Sequence, residues 1–79
     1  MTTTWDKSDP RIWFGRWISD DGRWDFRLVV ERVPNRTRWD WAVWRTDDLT
    51  IVRRGVENSA SAAVTAAETM AFILGQGDV

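Results

Sequence analysis

The sequence predicts an α+β domain: a four-stranded antiparallel β-meander followed by one C-terminal α-helix packed on one sheet face, in the order ββββα. Three observations carry this expectation. The phrase Arg23-Trp24-Asp25-Phe26-Arg27-Leu28-Val29 returns fifteen residues later as Arg38-Trp39-Asp40-Trp41-Ala42-Val43-Trp44. Both copies alternate bulky apolar with polar residues, which marks strands with one buried face. Turn residues stand before, between and after them, at Asp21-Gly22, Pro34-Asn35 and Asp47-Asp48. The third observation is an alanine-rich run after Ser59 that stops at Gly75.

Taken in order, residues 1–9 are polar and read as a flexible N-terminal arm, with the single domain spanning residues 10–79. Trp5 is the exception in the arm, suited either to tucking against the domain edge or to meeting a partner. Pro10 can open a strand, because a missing N–H matters least there, and Arg11 to Ile18 is the first strand expected. Asp21-Gly22 is a favoured pair for a two-residue type I′ turn. Closing the hairpin there sets Trp17 opposite Phe26, Gly15 opposite Leu28 and Trp13 opposite Val30. Gly15, small and between two indoles, marks a place where something approaches the backbone closely.

The second strand, Arg23 to about Val33, carries Trp24, Phe26, Leu28 and Val30 on one face. The third, Arg38 to Thr46, carries Trp39, Trp41 and Val43 on the matching face. Two registers join them. A two-residue loop places Glu31 beside Arg38, which charge favours. A four-residue loop places Glu31 beside Asp40, which the turn preference of Pro34 favours. A fourth strand, Leu49 to about Val56, alternates poorly: Leu49 and Ile51 point one way, Val52 and Val56 the other. A three-residue loop before it would put Ile51 on the Trp face, a two-residue loop Val52. Arg53-Arg54 suit an edge strand.

Asn58 or Ser59 supplies a helix cap, with Glu57 near the positive end of the dipole. The helix is expected over Ser59 to Leu74, with Gly75 as the C′ residue. At 100° per residue, Ala63, Ala66, Ala67, Met70, Ala71, Ile73 and Leu74 form the apolar stripe. Ser61, Thr65, Glu68 and Thr69 lie opposite. Small side chains let the helix axis come close to a sheet face crowded with indoles, so large and small residues interleave. One helix covers one face; the other stays open or finds a partner. The stretch from Arg38 to Leu74, a Trp-rich hairpin followed by Gly, a Ser cap and an Ala-rich helix, resembles a pattern shared by small bacterial and phage domains of unassigned function. No functional residue carries over from that resemblance.

Composition narrows the function. The 79 residues hold seven Trp but neither Cys nor His, which removes disulfides, thiolate nucleophiles and the usual zinc spacings. No loop has the carboxylate spacing of a calcium site, so no metal and no cofactor is expected. The Asp pairs at 20–21 and 47–48 sit in turns, Ser19, Ser59 and Ser61 have no His to activate them, and no Gly-rich phosphate loop occurs. A non-enzymatic protein is the expectation. The first residues lack the apolar stretch of a signal peptide, and Ala60 to Leu74 is too short and polar to span a bilayer, which reads as a cytoplasmic protein.

What remains is surface. Ile12, Phe14, Ile18, Val29 and Trp44 are expected to share the helix-free face with Arg16, Arg27, Arg38 and Asp40. Trp with Arg is a composition of interface hot spots. The expected interaction surface is therefore Phe14, Arg16, Arg27, Val29 and Trp44, joined by Phe72, an aromatic on the polar side of the helix. The function expected is a small protein-interaction module of adaptor or inhibitor type, its partner a protein or a second copy of the chain. The alternative is a single-stranded nucleic-acid-binding domain that stacks bases on exposed Trp beside Arg. A net charge of −1, with an Asp two residues beyond the leading Arg of each repeat copy, weighs against that alternative.

Overall fold

A computed structural model describes residues 3–47 and 50–76. Five strands and one helix follow one another: β1 (Thr4–Asp9), β2 (Ile12–Ile18), β3 (Asp25–Arg32), β4 (Trp39–Arg45), β5 (Ile51–Glu57) and α1 (Ala60–Gly75). The strands form one antiparallel sheet in the order β1-β2-β3-β4-β5. The α+β class and the closing helix agree with the sequence; the strand count is five rather than four. The additional strand comes from the segment read as an arm. Its composition, Thr-Trp-Asp-Lys-Ser-Asp, hides it, because an edge strand with a single, partly buried apolar side chain shows no alternation. Leu49, expected to begin the last strand, and Asp48 lie outside the described residues.

Turn chemistry sets the register. In the β2–β3 hairpin, Trp17 faces Phe26, Gly15 faces Leu28 and Trp13 faces Val30, as expected. The turn itself differs. Ser19 N–H donates to the Trp24 carbonyl and Gly22 N–H to the Ser19 carbonyl, each at 2.9 Å, leaving a four-residue loop. Gly22 has φ 73°, whereas Asp21 does not take a positive φ, so a type I′ turn is not formed. Asp21 is held in ordinary backbone by its own side chain, which accepts from Ser19 Oγ at 2.6 Å and Arg23 N–H at 3.0 Å. Between β3 and β4 the four-residue register is adopted, with Glu31 opposite Asp40. Asn35 at φ 61° and a 3.2 Å bond from Arg36 N–H to the Val33 carbonyl make Pro34-Asn35 the centre of a type II turn. Backbone geometry outweighs the charge preference, because both carboxylates project into solvent.

In β5 the register shifts between Val43 and Trp44, where Arg53 faces Val43 but Ile51 faces Trp44. The bulge at Val52 reverses the parity of the strand. Val52 turns toward the helix side, beside Trp24, Phe26 and Leu74. Ile51 and Val56, odd and even in sequence, both reach the helix-free side. A strand that alternates poorly in sequence thus places its apolar side chains coherently.

The helix lies over β3, β4 and β5. Ser59 caps it, its hydroxyl accepting from Ala62 N–H at 3.1 Å. Ala63, Ala67 and Ala71 are fully buried against a core of Trp17, Phe26, Leu28, Val30, Trp41 and Val43. Trp5, Trp13, Trp24 and Trp39 pack around that core, so six of the seven Trp lie on this side. Ile73, expected in the stripe, is half exposed. Trp17 and Trp24 stack on Phe26 with centroids 5.9 and 6.0 Å away, and Trp13 tilts against Trp39 at 5.5 Å.

Three glycines make room for three of these rings. A Cβ on Gly15 would stand 2.9 Å from Trp5 Cδ2, one on Gly55 2.8 Å from Trp41 Cζ2, and one on Gly75 2.2 Å from Trp17 Cη2. Trp5–Gly15 and Trp41–Gly55 are direct cross-strand pairs, so each edge strand is fastened by an indole laid over a glycine. Gly75 was expected just beyond the helix. It is instead the last helical residue, with Gln76 as the cap, and serves close approach to Trp17 rather than a left-handed turn. Trp5 completes the arrangement: its Nε1 donates to Glu68 Oε2 at 2.7 Å, tying β1 to the helix.

Gly75→Ala is expected to lower the unfolding free energy by about 1–3 kcal/mol through overpacking, although alanine alone would favour the helix by up to about 1 kcal/mol. Urea unfolding followed by Trp fluorescence checks this; equal or higher stability would mean that the Trp17 ring yields. Trp5→Ala is expected to cost about 2 kcal/mol, since its ring is only partly buried. It should speed amide exchange in β1 more than in β4, and uniform acceleration across the sheet would contradict a local anchoring role.

Candidate functional site

The face away from the helix is built by the odd partners of the buried positions. Since Trp17, Phe26, Leu28, Trp41 and Val43 point to the helix, their neighbours Ile18, Arg16, Arg27, Val29, Ala42 and Trp44 point away. Pairing arranges them in rows across the strands. Thr4, Arg16, Arg27, Trp44 and Ile51 make one row, and Asp6, Phe14, Val29, Ala42 and Arg54 the next. Ile12, Glu31, Asp40 and Val56 make the third.

Five of the six residues expected at the interaction surface therefore come together: Phe14, Arg16, Arg27, Val29 and Trp44. Phe72 does not join them. It lies on the helix, on the other side of the sheet, half exposed along a hollow shared with Trp17, Asp20, Asp21 and Gly75. Sequence reading missed Ile51 and Val56, because only the bulge brings them to this face. Of the six large apolar side chains that are exposed among the described residues, four belong here: Phe14 at 52%, Ile18 at 41%, Ile51 at 51% and Val56 at 52%. Phe14, Arg27, Val29, Trp44 and Thr46 line a shallow hollow of about 290 Å³ at its centre.

Two polar features qualify this surface. Arg16 grips Asp25 through Nε at 3.1 Å and Nη2 at 2.6 Å, and Thr46 Oγ1 donates to the same carboxylate at 3.0 Å. The repeat's aspartates thus diverge. Asp25 is paired, whereas Asp40, like Glu31 and Arg27, forms no ion pair among the described residues. Second, the indole N–H of Trp44 is shielded from solvent and has no acceptor among the described residues. The indoles of Trp5 and Trp41, by contrast, reach Glu68 and Glu57. An unpaired buried donor costs roughly 1–3 kcal/mol.

The carboxyl of Asp21 is bound up in its turn, where the Ser19 hydroxyl and then the Arg23 N–H hold it below the usual carboxylate range. Among the described residues no three Asp or Glu side chains converge as a metal site, and no helix is long and apolar enough to cross a membrane. On the opposite surface, Lys7 Nζ stands 4.6 Å over the Trp13 ring, a cation–π contact that further fixes β1.

The hydrogen bonds from Arg16 hold the Asp25 carboxyl below its usual range, burial opposes them, and Thr46 adds to the lowering. A depressed folded value means stabilisation that is present above the unfolded value of about 4 and lost as pH falls through the folded one. Asp25→Asn is expected to be less stable than the parent at pH 7, with the deficit shrinking below about pH 4. Thermal melts across pH 2–7 measure it; a deficit that stays constant would place the effect outside the ion pair.

Comparison with models of known protein families, with curated proteins and with solved structures finds no match.

Proposed function

We propose that the chain is a non-catalytic protein-interaction module, of adaptor or inhibitor type, whose working surface is the helix-free sheet face. One observation carries this reading. The fold spends its indoles, glycines and helix on one face and leaves four large apolar side chains exposed on the other, around the half-buried Trp44. A solvated antiparallel face is ordinarily polar, and contiguous exposed apolar surface marks interaction sites. Trp and Arg at its centre are the residues that dominate binding energy when a partner excludes water.

Charge narrows the partner class. Arg16, Arg27 and Arg54 share the face with Asp25, Glu31 and Asp40, and only Trp44 among the tryptophans stands there. A phosphate backbone would meet the carboxylates as well as the guanidiniums, so the balance of charge supports a protein partner over a nucleic acid.

Sedimentation of the fluorescently labelled protein in an extract of its native cells is expected to show a species heavier than the free chain. Phe14→Ala and Trp44→Ala should each shift it toward the free chain, by a loss of roughly 1–2 kcal/mol or more in binding. Thr65→Ala on the exposed helix surface should leave it in place. A labelled chain that sediments alone, or a complex indifferent to both aromatic substitutions, overturns the reading.

A further inference from the structure

We propose that the occupant of this face is a second copy of the chain, packed face to face about a two-fold axis that runs across the strands along the Phe14–Val29–Ala42 row. The inference rests on the reading of the face as an interaction surface and names its partner.

The charge layout selects both partner and axis. The central row is apolar at Phe14, Val29 and Ala42 and ends in Asp6 on β1 and Arg54 on β5; it is flanked on one side by Arg16 and Arg27 and on the other by Glu31 and Asp40. Rows on one face of a strand repeat every two residues, about 6.8 Å. A symmetric dimer uses the same patch twice, so the patch must complement itself. An axis along the strands at β3 would set Arg27 on Arg27 and Glu31 on Glu31. An axis across the strands instead lays the basic row of each copy over the acidic row of the other. Arg27 then meets Glu31 of the second copy, twice per dimer, at the centre of the face. The like pairs that this axis does create, Asp6 on Asp6 and Arg54 on Arg54, fall on the outer strands, where solvent screens them. Arg27, Glu31 and Asp40 are exposed and form no ion pair among the described residues, whereas Arg16 holds Asp25.

Extent is compatible. Five strands about 4.8 Å apart and about 20 Å of strand length give a face of roughly 500 Å² per copy. Roughly 1,000 Å² in total is the lower limit for a specific interface, so the dimer should dissociate on dilution.

The test is a charge reversal on the purified chain, read by sedimentation equilibrium over a wide concentration range, with circular dichroism confirming that each variant is folded. The parent should dimerise. Arg27→Glu and Glu31→Arg should each weaken the dimer at least about tenfold, since each opposes like charges twice. The double variant Arg27→Glu/Glu31→Arg should regain most of the loss, and the parent dimer should weaken with added salt. A parent that stays monomeric overturns the second copy as partner, while the heavier complex in extract would still uphold the surface itself. A dimer indifferent to the single reversals, or a double variant no tighter than the singles, places self-association elsewhere and overturns the proposal as well.

Discussion

Indole rings need room, and this fold is arranged around providing it. Gly15, Gly55 and Gly75 lie under the rings of Trp5, Trp41 and Trp17, while Ala63, Ala67 and Ala71 bring the helix down onto the sheet. Each contact joins a residue with little or no side chain to one of the largest, which is how a small chain reaches interior packing density with few residues. The helix position, the attachment of both edge strands and the end of the helix at Gln76 all follow from that fit. A single added methyl at any of the three glycines would meet a ring.

The same economy makes the sheet two-sided. With six tryptophans and α1 on one face, no element among the described residues covers the other. The open face keeps Phe14, Ile18, Ile51 and Val56 exposed, with rows of opposite charge on either side of its apolar centre. The edges, by contrast, are protected. β1 is largely polar and irregular near Asp9, and β5 carries Arg53, Arg54 and a bulge, features that discourage lateral strand addition.

Much of this was readable in the chain itself. The β2–β3 pairing, the Trp-bearing face, the alanine stripe and the Ser59 cap follow from periodicity and local chemistry. Five of the six residues expected at the interaction surface share a face because alternation within a strand is a property of its backbone. What was not readable has specific causes. β1 carries one apolar residue, so no pattern announces it, and its anchor is the distant pair Gly15 and Glu68. Glu68 looked like a solvent-facing residue until Trp5 arrived beside it. In β5 the bulge broke the period on which the reading depended.

By itself, then, the sequence determined the class of fold, the strands of the repeated phrase and which of their side chains lie together, because these depend on bonds and spacings within a few residues. The tertiary structure alone decided that the amino-terminal segment is a strand and that Pro34-Asn35 outweighs the attraction of Glu31 for Arg38. It alone decided, too, that Gly75 serves a ring rather than a turn. Those outcomes depend on contacts between residues far apart in the chain, whose energies no local pattern records.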